Sequence, residues 1–228
     1  MKQDQSLILI PICFLLAGVA SLNAETAPTS SELSRVQNDS RTQIETLSRR
    51  LLEADSATAT IEKWCADHCM AAPPKIVARR IASPEKTPDS ETRRRLKAEN
   101  GEIIRYRHVQ LICGKHILSE ADNWYVPARL PAEANVMLET GDTPFGKAIR
   151  SLHPKRQTIA SKNLWSPPSA EPGVTAPTTG QIDPPRYLLE YRALILTPDQ
   201  TPISEVSEHY TRELLDFEGC DSSVSVAH

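Results

Sequence analysis

Glycine is scarce, with eight in 228 residues. None falls in a GxGxxG or Walker spacing, so the backbone loops that cradle nucleotide phosphates are absent. Charge of one sign is lacking too. The 26 Lys and Arg against 29 Asp and Glu leave a net charge of −3, without the basic excess a nucleic-acid partner calls for. No long apolar run follows the first twenty residues, so nothing further along is built to span a membrane. No internal repeat appears. Cysteine is sparse as well: Cys13 sits in the first apolar run, and Cys65, Cys69, Cys113 and Cys220 are spread over the rest.

What is present begins at Lys2, followed by the apolar run Leu7 to Ala20 (LILIPICFLLAGVA). That run is short of the roughly 20 residues a membrane-spanning helix needs. It gives way to small residues, Ser21 to Ala24, and turns polar at Glu25. This is the pattern of a secretory signal, and we place its cut after Ala24. No Cys directly follows the run, which argues against a lipoprotein. The mature chain is 228 − 24 = 204 residues, enough for one domain with a real core. Lys2 and Asp4 cancel, so its net charge stays at −3. The expected location is periplasmic or secreted. Four cysteines in an oxidising compartment permit disulfides in three connectivities, and at least one bridge is expected. The chain divides into a signal peptide (1–24), a polar segment with an amphipathic helix (25–50), the main domain (51–217) and a C-terminal tail (218–228).

Leu33, Val36, Ile44, Leu47 and Leu51 predict an amphipathic helix over about 31–52, with a break near Asn38 to Ser40. Asp55 and Ser56 offer cap oxygens for a second helix from Ala57 to about Cys69, stopped by Pro73 and Pro74. Lys75 to Ile81 reads as a strand and 83–100 as a charged loop. The alternation of Ile104, Tyr106, Val109 and Leu111 predicts a strand over 102–112. It turns at Cys113 to His116 into a partner strand, Ile117 to Val126. Pro131 to Thr140 reads as a short helix ending at Gly141, Gly146 to Leu152 as a helical turn, and Gln157 to Leu164 as a strand. A loop rich in Pro, Gly, Thr and Ser (166–185) precedes two last strands, about Tyr187 to Leu196 and Pro202 to Tyr210. A loop of that length inside a domain is unusual and reads as a lid or an insertion. The sum is an α+β domain with helices packed on one antiparallel sheet.

Cys65, His68 and Cys69 fall on one helical face and offer three metal ligands, one short of a structural zinc site. Core or disulfide cysteines are the better reading, and no metal or cofactor is expected. Arg105 and Arg107 are two apart on a strand and share a face. If that face is interior, their guanidiniums need anionic partners, and bidentate binding of a substrate carboxylate is the functional reading. Glu205 and Glu208 matter only if one faces the same cavity, where it would serve in proton transfer.

GDTPFG (141–146), followed ten residues later by Arg156, resembles the turn-and-helix motif of bacterial chorismate lyase (4-hydroxybenzoate synthase). Five further segments resemble that family in order: Leu51 to Thr58, Arg107 to Cys113, Ala121 to Pro127, Leu164-Trp165 and Ile203 to Val206. The resemblance implies an antiparallel sheet with helices on it, a closed pocket, and elimination of pyruvate from chorismate without metal or cofactor, a carbon–oxygen lyase. It implies that Arg107 holds a carboxylate and that Glu205 is the acidic residue at the reacting end, with Glu208 as the fallback. Arg105 or Arg156 would supply a second cation. Asn123 stands where the family usually carries Arg, and the 166–185 loop is longer than its counterpart. Chorismate is made in the cytoplasm, which sits poorly with an export signal. The expectation is therefore an exported chorismate-lyase-like domain for a small aromatic or cyclic carboxylic acid. The alternative is a non-catalytic small-ligand-binding module of the cell envelope on the same fold.

Overall fold

The computed structural model describes residues 30–167 and 183–217. The expected signal peptide (1–24), most of the 166–185 loop and the 218–228 tail lie outside the described residues. Six strands form one antiparallel sheet in the order β1-β2-β3-β6-β5-β4. They are β1 (Ile76–Arg80), β2 (Arg105–Cys113), β3 (His116–Tyr125), β4 (Lys155–Asn163), β5 (Tyr187–Leu196) and β6 (Pro202–Thr211). The helices are α1 (Ser30–Glu53), α2 (Ala57–Asp67), α3 (Ser90–Arg95), α4 (Ala132–Thr140) and α5 (Phe145–Ala148). The expected single antiparallel sheet with helices packed on it is the architecture observed.

Side chains alternate across a strand, and that alternation sorts the helices. Ile44, Leu47 and Leu51 of α1 and Ile61 and Trp64 of α2 pack on Val109, Leu118, Tyr191 and Tyr210 of the sheet. Burying each large apolar side chain stabilises by about 1.5–3 kcal/mol. The Trp64 indole donates to Leu214 O at 3.0 Å, so its one polar atom is satisfied in the core. Leu138 of α4 and Ile149, just after α5, join Tyr125 and Ile203 in a second cluster. On the opposite face, Leu96 at the end of α3 packs on Trp124, Leu194 and Leu196.

Two features differ from expectation. The first helix runs unbroken through Asn38 to Ser40. Within the expected loop 83–100, Asp89 caps α3, accepting from Thr92 N at 2.6 Å. Elsewhere the local signals hold. Ser56 caps α2, accepting from Ala59 N at 3.3 Å. The β2–β3 hairpin turns at Gly114, whose φ of +57° costs glycine nothing. Cys65 on α2 and Cys113 at the end of β2 form a disulfide, fixing the helix to the sheet.

Candidate functional site

Arg107, Asn123 and Val206 lie side by side on neighbouring strands, and Val109, Ala121 and Glu208 form the next such row. All six face the helix-covered side and line a cavity of about 60 Å³ between the sheet, α2 and α5. A single water needs ~10–15 Å³ by that measure, so the space holds more than one. Leu111, Phe145, Ile149 and Ile195 complete its apolar wall, and Ser56 and Thr58 at the start of α2 supply hydroxyls. Gly146 brings α5 against α2: a Cβ there would lie 3.1 Å from Ser56 Oγ and 3.2 Å from Thr58 Oγ1.

Arg107 is the unusual group. It is 2% exposed; among the described residues its Nε has no hydrogen-bond partner, and its one bond is a long 3.5 Å donation to Thr143 O. Among the described residues no carboxylate pairs with it. Burial pushes its pKa down to about 10; Tyr125 opposes that and the charge on Arg80 adds to it. An unpaired buried cation is costly, and this one borders a cavity.

Arg156 shows the contrast. Its side chain is as deeply buried, but its Nη2 meets Glu208 Oε2 at 2.6 Å, while Nη1 donates to Thr158 Oγ1 at 2.7 Å and to Leu51 O at 3.1 Å. Burial works against its charge, yet Glu208 more than compensates and holds the pKa above the ordinary value. Of the buried polar atoms without a partner among the described residues, three belong to residues that line the cavity: Nε of Arg107, Nε of Arg156 and Oδ1 of Asn123. The other end of the Asn123 amide is used, with Nδ2 donating to Ser204 Oγ at 2.6 Å. The site thus offers two unused donors, one unused acceptor, one uncompensated positive charge and apolar walls.

The structure brings together Arg107, Arg156, Asn123 and Glu208 and leaves out Glu205 and Arg105. Glu205 is next to the cavity-lining Val206 on β6 and so points through the opposite face. There it is fully buried and gripped by Arg95 through two 2.7 Å bonds. Arg192 at 3.2 Å and Thr92 Oγ1 at 3.2 Å complete its partners. The expected placement of Glu205 at the reacting end of the pocket is therefore corrected. The fallback, Glu208, occupies the cavity wall, engaged by Arg156. Arg105, at the first residue of β2, reaches the surface and pairs with Glu139, so it supplies no second cation to the cavity. The three-ligand metal reading also falls: Cys65 is bridged to Cys113, and His68 Nδ1 lies 2.8 Å from Trp64 O. Among the described residues no group of His, Cys, Asp and Glu is placed to hold a metal, and no helix is long and apolar enough to cross a membrane. Sequence reasoning missed the roles of Ser56, Thr58 and the apolar wall; the cap signal at Ser56 marked a helix start without showing that it borders a cavity.

The fold and this cavity define a single-sheet α+β domain with a buried, cation-bearing pocket. The chain is 41% identical over 223 residues to a Sinorhizobium fredii protein described as "Uncharacterized protein y4mC", covering 92% of each chain. It belongs to one family with that protein. No family model matches the chain. Among solved structures it has a distant likeness to PhnF from Mycobacterium smegmatis (14% identity, 75% of this chain and 70% of that one, TM-score 0.44). A second is the ligand-binding domain of a putative GntR-family transcriptional regulator from Bordetella bronchiseptica (17%, 67% and 90%, TM-score 0.40).

Proposed function

We propose that this protein is a binding domain for a small aromatic or cyclic carboxylic acid, held in the cavity by Arg107. The observation that carries the reading is the Arg107 guanidinium, buried without a carboxylate at the edge of an apolar space. A ligand carboxylate supplies the missing charge and accepts from Nε, a charge-assisted bond. The unpaired Asn123 Oδ1 accepts from a ligand hydroxyl, which favours a hydroxy acid over a plain one. The resemblance to chorismate lyase supports the same anchor, because it assigns a carboxylate to Arg107. Binding is favoured over pyruvate elimination by the acids. Glu205, the acid the resemblance assigns, lies on the far face, and Glu208 is tied up by Arg156.

Calorimetry with 4-hydroxybenzoate and related acids tests this. Removing a charged partner from a buried carboxylate costs about 2–5 kcal/mol, so Arg107→Ala is expected to weaken binding more than tenfold. Absence of binding to the wild type at millimolar concentration, or equal affinity in the variant, refutes the reading. A wild type that binds chorismate and releases 4-hydroxybenzoate restores the lyase.

We propose in addition that the protein is exported. The Lys2, Leu7 to Ala20 and Ala24 pattern motivates this, and the Cys65–Cys113 bridge suits an oxidising compartment. N-terminal sequencing of protein from fractionated cells is expected to begin near Glu25, outside the cytoplasm; intact Met1 in the cytosol overturns it.

A further inference from the structure

Outside the cavity, β1, β2, the residues after β1 and the end of α4 enclose an open recess of about 470 Å³. Arg80, Arg105 and Arg107 all line it, and all three are held by one short stretch of chain. Arg80 donates from Nη1 to Glu139 O at 2.9 Å, Arg105 pairs with the Glu139 carboxylate, and Arg107 reaches Thr143 O at 3.5 Å. Two carboxylates, Glu85 and Glu139, share the recess with them. Of these two, among the described residues, Glu139 alone is in an ion pair, and Arg105 consumes it. Among the described residues Arg80 therefore has carbonyl contact but no carboxylate, and Arg107 has neither a carboxylate nor a partner for Nε. The two uncompensated guanidiniums are near enough to act on each other electrostatically. Like charges converge at such a place at a cost that an intervening anion removes.

We infer that this recess is a second anion site, in which Arg80 from the rim and Arg107 from the back wall together take a small oxyanion. Arg80 is exposed and reaches the anion from solvent; Arg107 is 2% exposed and supplies a fixed, weakly hydrated donor. The recess lies outside the cavity, needs no apolar wall and opens directly to solvent, but it shares Arg107 with the carboxylic acid proposed for the cavity, so the two anions are expected to compete for that guanidinium. Two guanidiniums favour a dianion over a monoanion, so phosphate is expected to bind more tightly than acetate.

The test is calorimetric titration of the full mature protein with inorganic phosphate and, separately, with acetate, at low ionic strength and neutral pH. Exposed charge pairs are worth up to about 1 kcal/mol, so Arg80→Ala is expected to weaken phosphate binding by about fivefold, and Arg80→Glu to abolish it. Arg94→Ala, an exposed arginine on α3 paired with Glu91, is expected to leave it unchanged. Circular dichroism of each variant confirms that the fold is retained. Phosphate binding that is absent in the wild type, indifferent to Arg80, or equally reduced by Arg94→Ala overturns the inference. Titration of the same samples with 4-hydroxybenzoate separates the two sites. Phosphate binding without acid binding leaves the recess standing and removes the cavity reading; the reverse removes only the recess.

Discussion

One residue of register separates a buried clamp from a cavity wall on β6. Val206, Glu208 and Tyr210 share a parity and face the helices, whereas Glu205 and Ser207 face the other way. The sequence did not display that parity, because apolar Ile203 shares the parity of Glu205 while apolar Val206 shares that of Glu208, and β6 is buried on both faces. The position of Glu205 predicts its behaviour. It holds Arg95 by two 2.7 Å bonds with no exposure to water. Breaking a buried ion pair by removing one partner costs about 3–5 kcal/mol. Glu205→Ala is therefore expected to lower the unfolding free energy by about that amount while leaving acid affinity unchanged. Denaturant titration paired with calorimetry reads both, and a stable variant that has lost binding contradicts the placement.

At the scale of elements, the strands were the readable part. Alternation in 104–111 is a property of the chain itself, and β2 forms over it from Arg105 on. The two misread segments depend on contacts that no local pattern displays. Asn38 to Ser40 resemble helix-ending residues, yet α1 continues through them because Ile44, Leu47 and Leu51 anchor it on the core; packing outweighs weak local preference. The α3 segment, SETRRR, has no apolar residue and looks like solvated loop. The Asp89 cap, the Arg95–Glu205 pair and Leu96 in the lower core make it a helix. The α2–β2 bridge carries a prediction at this scale. Cys65–Cys113 closes a separation of 48 residues, and such a link stabilises by about 2–4 kcal/mol. Cys65→Ser with Cys113→Ser is expected to shift the urea midpoint down accordingly. An unchanged midpoint would mean that the bridge constrains little in the unfolded chain.

For the whole molecule, the acid limb of stability follows from its carboxylates. Burial alone would raise the pKa of Asp122, but Lys86, Tyr106 and His108 bond to it and hold it below the usual range. Glu120 is held down in the same way, against burial, by Tyr187, Gln110 and Arg186. A folded pKa depressed below the unfolded value means that the unfolded chain takes up protons first as pH falls. Stability from these groups is thus full above the unfolded carboxylate range of about 4 and drains away below it. Urea midpoints measured from neutral pH downward are expected to fall through that window, and Asp122→Asn to flatten the fall. A rise in stability on acidification would reverse the sign and reject these pairings.

The cavity itself was the least legible part of the molecule. The sequence placed Arg107 on a strand face with Arg105 and left open whether that face is interior; its burial, and its lack of a carboxylate, emerge only in the fold, where Arg156 takes Glu208 and Arg95 takes Glu205. The central claim is that Arg107 is kept buried and unpaired to receive an acid, and it is tested most directly by unfolding wild type and Arg107→Met with and without 4-hydroxybenzoate. Replacing a buried charge by an apolar side chain of similar length is expected to leave the free protein as stable or more stable, by up to about 4 kcal/mol. Acid at a hundred times its dissociation constant is expected to stabilise the wild type by about 2.7 kcal/mol and the variant not at all. Equal stabilisation of both proteins, or of neither, would contradict the claim.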